Sequence, residues 1–243
     1  IFCSEDVTVE GCFFRGNDDC IAIYGPRWTG NYWGETGNVR NIKVRNCVLM
    51  PDVARPIHLG THGDSTSPNG GRVIDNCSFE DIDILTYSKY APGPQPIRMD
   101  PSDGNMISNI YFDDIRIQDG RANMICDFYI TVQGRYGTNI VNGKGINNVY
   151  FKDVQYTNKN DFSGRIDGAI NHYNRALSQN ITFENLVING EVALSAEDAN
   201  MALGTRSEGL VRNISFVRSG ESEYQYNPEV VPEDIWPEYY DYA

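Results

Sequence analysis

Two adjacent aspartates are the residues of this chain whose type and position best suit acid–base chemistry. They are Asp18 and Asp19, within the segment Gly16-Asn-Asp-Asp-Cys-Ile-Ala-Ile23, where a polar turn leads into apolar residues with the period of a strand. Two neighbouring carboxyl groups can divide the roles of proton donor and proton acceptor when their surroundings differ. An ordinary surface pair in a turn is the plainer interpretation, so the neighbours of the pair decide between the two.

Two later segments repeat the apolar alternation that follows the pair. Aligning Ile21, Ile57 and Ile97 as one inward column sets the outward residues of consecutive strands side by side. Because adjacent strands lie about 4.8 Å apart, those outward side chains would share one patch. A patch of arginines, a histidine and carboxylates is typical of a functional site. We therefore predict Asp18 and Asp19 as catalytic residues, and the following as substrate-binding residues: Tyr24, Arg55, His58, Arg98 and Asp100.

Aromatic residues near this patch suggest contacts with sugar rings. Trp28 and Trp33 lie in the stretch 25–38, and Tyr87 lies in the stretch 86–96; both stretches contain Gly or Pro. Exposed rings beside a groove suit the apolar faces of sugars, so Trp28 and Trp33 are predicted to bind substrate. Ordinary packing against the flank of the fold is the alternative. His58 is interpreted either as a partner of Asp19 or of a sugar hydroxyl, or as an outward residue bonded to a loop.

A repeated phrase indicates which elements position these residues. A polar residue followed by alternating apolar residues begins at positions 6, 41, 76, 109, 148, 180 and 213. Short strands, turns rich in Gly, Asn and Asp, and a period of about 35 residues predict an all-β, parallel β-helix of about seven coils. We assign residues 1–220 to this solenoid and residues 221–243 to an extended acidic and aromatic tail that packs on it. The pattern is already under way at Ile1, so N-terminal coils are expected to be missing from this sequence.

Cysteine and asparagine residues recur at equivalent places in the repeat. Cys12 and Cys47 fall in one apolar column, which predicts buried free thiols rather than a disulfide. Asn76, Asn180 and Asn213 begin N-x-S/T sequons, but they occupy the repeated polar position. We interpret them as turn or ladder asparagines rather than as glycosylation sites.

Composition limits the classes of partner. The net charge of −13 argues against nucleic-acid binding. No apolar run reaches the roughly 18 residues of a membrane span. No cluster of His, Cys or acidic residues has metal-ligand spacing, so neither a metal nor a cofactor is predicted, although the many aspartates leave calcium open.

The order of residues around the aspartate pair resembles the polygalacturonase (pectinase) family and related dextranase-like hydrolases. The resemblance rests on Asp6-Val-Thr-Val-Glu-Gly-Cys-Phe-Phe-Arg-Gly-Asn-Asp-Asp-Cys-Ile-Ala-Ile23 and Asn41-Ile-Lys-Val-Arg-Asn-Cys47, and covers about residues 6–117. It implies a right-handed parallel β-helix and inverting hydrolysis of a polysaccharide or oligosaccharide. Asp18 would be the general acid, and Asp19 would help to hold and deprotonate the attacking water. We expect such an enzyme to be secreted, periplasmic or at the cell surface.

The chain departs from the family pattern at three places. The family's third aspartate would fall before Ile1, its histidine falls on Arg55, and the lysine that meets a uronate carboxylate falls on Asp100. A carboxylate at that last place would repel a negatively charged sugar. We therefore predict a glycan other than classical polygalacturonate.

Two further function classes remain open from the sequence. One is a polysaccharide lyase or epimerase, with Arg55 or Arg98 as base and calcium held by Asp18, Asp19 and Asp100. The other is a carbohydrate-binding solenoid without catalysis, since fold alone does not determine function.

Overall fold

The computed structural model describes residues 1–25, 37–60, 72–87, 95–102, 104–118, 124–130, 143–157, 163–167, 169–170, 175–204 and 209–223. Within these ranges the chain is all-β, formed of strands and turns without a helix, and so contains no helix able to cross a membrane. The strands are β1 (Glu5–Glu10), β2 (Phe13–Phe14), β3 (Ile21–Ile23), β4 (Val39–Leu49), β5 (Ile57–Gly60), β6 (Val73–Ile84), β7 (Ile97–Asp100), β8 (Met106–Ile117), β9 (Met124–Tyr129), β10 (Gly145–Tyr156), β11 (Ser163–Asp167), β12 (Ala169–Ile170), β13 (Arg175–Ile188), β14 (Glu191–Val192), β15 (Met201–Leu203) and β16 (Val211–Val217).

Two parallel sheets run along the stack of repeats. In the first sheet β1, β4, β6, β8, β10, β13 and β16 pair in that order, each parallel to the next. In the second sheet β3, β5, β7, β9, β11 and β15 follow one another in the same way. The chain thus alternates between the sheets, and neighbouring strands come from successive repeats. The predicted parallel β-solenoid is confirmed.

Columns of identical or similar side chains fill the space between the sheets. Phe79, Phe112, Phe151, Phe183 and Phe216 stack face to face, with ring centroids 4.6–4.9 Å apart. Stacked rings at this spacing add to the free energy that burial of their area supplies. One phenylalanine per repeat therefore keeps successive coils in register.

The cysteine column agrees with the prediction of buried thiols at Cys47, whereas Cys12 is only half-buried. Cys47 pairs with Ile82 in the next strand, which places it in the predicted inward column. Five cysteines have described side chains, and all five are free thiols. Cys47 and Cys77 are buried, so they pack as small apolar side chains.

Asparagine and aspartate residues with positive φ begin the repeated phrase. The seven residues at this position have φ between 50° and 57°, a left-handed conformation that Asn and Asp adopt more readily than most residues. Their side chains also bond from coil to coil: Nδ2 of Asn41 donates to Asp6 at 2.8 Å, and Nδ2 of Asn76 donates to Asn41 at 2.7 Å. Asn180 and Asn213 donate in the same direction. The ladder interpretation of these asparagines is confirmed.

Replacing one buried member of this ladder should destabilise the fold. Asn109 is 1% exposed, has φ 53°, donates to Asp75 at 2.8 Å and accepts from Asn148 at 2.6 Å. Asn109→Ala removes both bonds and strains the backbone, so we expect the free energy of unfolding to fall by about 3 kcal/mol. Urea denaturation measures the loss. Asn109→Gly also lacks both bonds but avoids the backbone strain, so its loss of unfolding free energy should be about half as large. Equal stability of Asn109→Ala and wild type would show that the ladder does not stabilise the fold.

One strand of the second sheet lies earlier in the chain than its pattern predicts. Beyond the strands aligned through Ile21, Ile57 and Ile97, the sequence offers residues 125–132 and 168–173 as candidates for later strands of this sheet, and β9 overlaps the first of these. The later strand is β11, where buried Ile166 pairs with Phe128 of β9, whereas β12 pairs antiparallel with β13. Ile166 is buried and therefore lies in the core beside Phe128 of the preceding strand.

A buried carboxyl group in the first sheet should make stability depend on pH. Asp75 is 4% exposed, and Oδ1 accepts from Ser108 at 3.1 Å and from Asn109. Burial raises its pKa to about 6 although these bonds oppose the rise. The folded state therefore binds the proton of Asp75 more tightly than the unfolded state does. The stability that this proton contributes is complete below about pH 4 and is lost as the pH rises through about 6. Relative to Asp75→Asn, wild type should lose about 3 kcal/mol over that interval. Urea midpoints that change with pH in the same way for wild type and for Asp75→Asn would disprove this pH dependence.

Candidate active site

Strands β3, β5 and β7 bring together the polar residues of three successive repeats. Ile21, Ile57 and Ile97 lie in one register, as predicted, and His58 lies between Ala22 and Arg98. The isoleucines are buried, so alternate residues of these strands point outward. We call the resulting group the acid–base cluster, which consists of Asp18, Asp19, Tyr24, Arg55, His58, Arg98 and Asp100.

The two aspartates of the pair have different surroundings. Asp18 is exposed, and its Oδ1 accepts the backbone N–H of Asp19 at 2.9 Å. The side chain of Asp19 is 7% exposed; Oδ1 accepts the backbone N–H of Arg55 at 2.9 Å, and Oδ2 accepts the hydroxyl of Tyr24 at 2.9 Å. Asp18 thus faces solvent, whereas Asp19 is an acceptor held by residues of its own repeat and of the next.

His58 connects Asp19 to Asp100. Nδ1 lies 2.7 Å from Oδ2 of Asp19, and Nε2 lies 2.7 Å from Oδ1 of Asp100. Ionised carboxylates only accept hydrogen bonds, so both ring nitrogens must carry a proton. Burial lowers the pKa of His58, but the charges and hydrogen bonds of the two carboxylates outweigh it and raise that pKa above its ordinary value. The contacts and the direction of this pKa shift together favour the imidazolium form of buried His58.

The same contacts keep both carboxylates ionised. Burial raises the pKa of Asp19, but the hydrogen bond and charge of His58, with the backbone N–H of Arg55, lower it to about 2. Burial likewise raises the pKa of Asp100, and the charges of His58, Arg98 and Arg55 reverse the effect and lower it. The cluster is therefore a set of mutually compensating charges rather than of neutral groups.

Asp100 lies beneath His58 rather than at the surface. Its side chain is 1% exposed, and Oδ2 accepts Nε of Arg98 at 2.9 Å and lies 2.8 Å from Nη2 of the same residue. Gly60, with φ 104°, pairs with Asp100, and a Cβ at Gly60 would lie 2.8 Å from the Asp100 carbonyl. Only glycine permits this approach. The sequence predicts Asp100 as a substrate-binding residue; the structure places its buried carboxylate against His58 and Arg98. Gly60 was the signal in the sequence that could have indicated this close approach.

Arg55 and Arg98 form the cationic side of the cluster. Their side chains are 12% and 15% exposed. Nη1 of Arg55 lies 3.9 Å from Oδ1 of Asp19, and burial followed by the charge of Arg98 lowers the pKa of Arg55. Two guanidinium groups at the edge of the cluster can bind sugar hydroxyls or an anionic substituent.

The predictions for the aromatic residues differ in how they compare with the structure. The ring of Tyr24 meets the ring of His58 edge to face, with centroids 5.6 Å apart. Trp28 and Trp33 lie outside the described residues. The expectation that Tyr87 flanks a groove is wrong: its side chain is 1% exposed, and its hydroxyl lies 3.2 Å from that of Tyr156. Tyr87 faces inward because a buried hydroxyl partner satisfies its polar end.

Neither the described side chains nor the comparisons with known proteins identify the chemistry of the cluster. Among the described side chains, no three or more His, Cys, Asp or Glu residues are arranged to hold a metal ion. Neither a scan of protein-family models nor searches of curated proteins and of solved structures returned a match.

Proposed function

We propose that the protein is a glycoside hydrolase that cleaves a polysaccharide or oligosaccharide by inverting, single-displacement catalysis. Asp18 is the general acid, and Asp19 helps to hold and deprotonate the attacking water. The observation that carries the proposal is the contrast between exposed Asp18 and its neighbour Asp19, which His58 keeps ionised. Carboxyl groups in contrasting environments are how such enzymes separate acid from base.

The contacts of Asp19 indicate which of its oxygens serves the water. Oδ2 accepts from both Tyr24 and His58, which occupies its two lone pairs. Oδ1 accepts the backbone N–H of Arg55 and lies at a longer distance from the Arg55 guanidinium. Oδ1 therefore has acceptor capacity left, and we assign the water to it.

Arg55 and Arg98 are proposed to bind the sugar, because their guanidinium groups form the partly exposed edge of the cluster. The carboxylate of Asp100 is compensated by His58 and Arg98, so it does not present a free negative charge to a uronate. A glycan other than polygalacturonate remains our proposal, and it rests on the family's histidine and lysine being replaced by Arg55 and Asp100.

The proposal extends to the whole molecule. The near-universal right hand of parallel crossovers supports a right-handed winding. The seven successive parallel strands of the first sheet support about seven coils. The predicted tail, residues 221–243, lies beyond residue 223 outside the described residues. We propose that the protein acts outside the cytoplasm, where polysaccharides are met.

Release of reducing sugar from a panel of neutral and acidic polysaccharides tests this function. We expect release from at least one neutral glycan, with proton NMR showing that the first-formed product has the inverted anomeric configuration. Retention of configuration would refute single displacement. Release from polygalacturonate alone would refute the proposed substrate class.

One observation favours a second candidate, a polysaccharide lyase. Burial and the neighbouring Arg98 lower the pKa of Arg55, which is the change that an arginine base needs. Against it, Asp19 and Asp100 already accept from His58, which leaves less capacity for calcium. If the reaction formed an unsaturated product that absorbs in the ultraviolet, and a chelator abolished its formation, the protein would be a lyase rather than a hydrolase.

A further inference from the structure

The acid–base cluster contains a chain of three residues whose order is carboxylate, imidazolium, carboxylate. We propose that Asp100 is a positioning residue, which keeps His58 doubly protonated and thereby fixes the orientation and the charge of Asp19. This inference rests on the proposed function, since it gives Asp100 a role in the hydrolysis assigned to Asp18 and Asp19. It also differs from the role suggested by sequence alignment, where Asp100 would contact the sugar.

The geometry requires both ring protons of His58. Both nitrogens lie 2.7 Å from a carboxylate oxygen, Nδ1 from Asp19 and Nε2 from Asp100. A neutral imidazole has one donor and one acceptor, so it would turn a lone pair toward one of the two carboxylates. Loss of one ring proton therefore breaks one of the two hydrogen bonds. Each carboxylate stabilises the positive charge of the ring, and the charged ring keeps the N–H group that donates to the other carboxylate.

The charged groups around His58 make its protonation depend on Asp100. From β3 and the turn before it, His58 meets Asp19 and Tyr24; from β7 it meets Asp100. Arg98 on β7 and Arg55 before β5 complete the charged surroundings. Without the Asp100 charge, two guanidinium groups and one carboxylate remain near the ring. That balance favours a neutral imidazole.

Asp100 is itself held in place. Oδ2 binds Arg98, so the carboxylate cannot rotate away from His58 without losing that pair. Its 1% exposure and the close approach of Gly60 leave no room for solvent to replace either partner. A buried carboxylate with two charged partners is well suited to fixing a ring that in turn fixes Asp19.

Asp100→Asn should change catalysis through His58. The uncharged amide no longer stabilises the imidazolium, so His58 loses a proton at lower pH and Asp19 loses its cationic partner. The acid limb of the rate profile, set by ionisation of Asp19, should move to higher pH. We expect kcat near the acid limb to fall about 10- to 100-fold with a small change in KM, because an oriented base acts mainly in the transition state.

Two measurements test the chain together. The first is NMR of the imidazole nitrogens against pH, in which His58 is identified among the three histidines by its absence in His58→Gln. The second is the pH profile of kcat and of kcat/KM. Asp75→Asn is the matched control, since it makes the same chemical change at a similarly buried carboxyl group of the other sheet.

The expected result is two ring N–H signals of His58 in wild type at neutral pH. Asp100→Asn should show a lower-pH titration of His58 and the shifted acid limb, neither of which Asp75→Asn should show. A single ring N–H in wild type overturns the inference even if Asp100→Asn fails to fold. A His58 titration or acid limb unchanged in Asp100→Asn also overturns it. If wild type hydrolyses no glycan, the proposed function and the positioning role of Asp100 in hydrolysis fail together, whereas the NMR titration still decides whether Asp100 controls His58.

Discussion

Asp18→Asn is expected to abolish turnover while leaving the fold intact. The asparagine side chain retains an oxygen that can accept the backbone N–H of Asp19, but it has no proton to give to the leaving oxygen. General acid catalysis typically contributes 10²- to 10⁴-fold, so we expect kcat to fall by roughly 10³-fold. Because Asp18 is exposed, the free energy of unfolding should change by less than about 0.5 kcal/mol. Initial rates on the best substrate, with urea denaturation of the same samples, measure both.

A surface aspartate on the first sheet provides the control for Asp18. Asp83 carries the same charge and pairs with Arg116 at 2.7 Å, outside the acid–base cluster. Asp83→Asn should keep full activity. If Asp18→Asn kept full activity as well, Asp18 could not be the acid, and the hydrolase proposal would have to be abandoned or rebuilt on other residues.

Asp19→Asn is expected to lose both activity and stability. The substitution removes the carboxylate that His58, Tyr24 and Arg55 surround, and it leaves an imidazolium with one partner in a buried place. Breaking a buried charge pair from one side costs about 3 kcal/mol, so the free energy of unfolding should fall by about that amount at pH 7. Turnover should fall at least as far as in Asp18→Asn. The two variants therefore separate a residue that reacts from one that reacts and also holds its surroundings together.

The stability loss in Asp19→Asn should depend on pH in a defined direction. Burial raises the pKa of Asp19, but His58 and Arg55 lower it to about 2. The stabilisation by this carboxylate is therefore present above about pH 4 and is lost as the pH falls toward 2. Unfolding measured at pH 7 and at pH 2.5 should show a smaller difference between wild type and variant at the acid pH. Asp113→Asn, at a partly exposed pair with Lys152, should show a small difference at both pH values; a pH-independent loss in Asp19→Asn would contradict the charge assignment.

The repeat made much of this architecture predictable. A polar residue must begin each phrase because the backbone there is left-handed, and alternating apolar residues must follow because they face the core. Aligning Ile21 with Ile57 and Ile97 therefore gave the register of the site strands without any structure. Parallel pairing then determined which outward residues are neighbours.

The sequence pattern could not show how deeply each side chain of the patch is buried or which neighbour it contacts. Register sets His58 beside Arg98, yet the short bond of His58 runs diagonally to Asp100, because Gly60 lets that residue approach beneath the ring. Tyr87 was misplaced for a related reason, since composition does not show whether a buried hydroxyl will find a partner. These outcomes depend on side-chain rotamers and close contacts, which residue periodicity does not contain.

The asparagine column has a polarity that bears on how this protein could be lengthened. Nδ2 of Asn41, Asn76 and Asn213 each donates to the preceding repeat, and the Oδ1 atoms of Asn41 and Asn180 each accept from the following one. A duplicated repeat inserted within the stack would preserve the chain of amides only if it brings an asparagine that does both. An aspartate accepts without donating, so it ends a run of amides, as Asp6 does for Asn41 and as Asp75 does for Asn109 within the stack. Engineered concatemers of these units would therefore be directional, and each run of amides would end wherever a module supplies an aspartate as the acceptor.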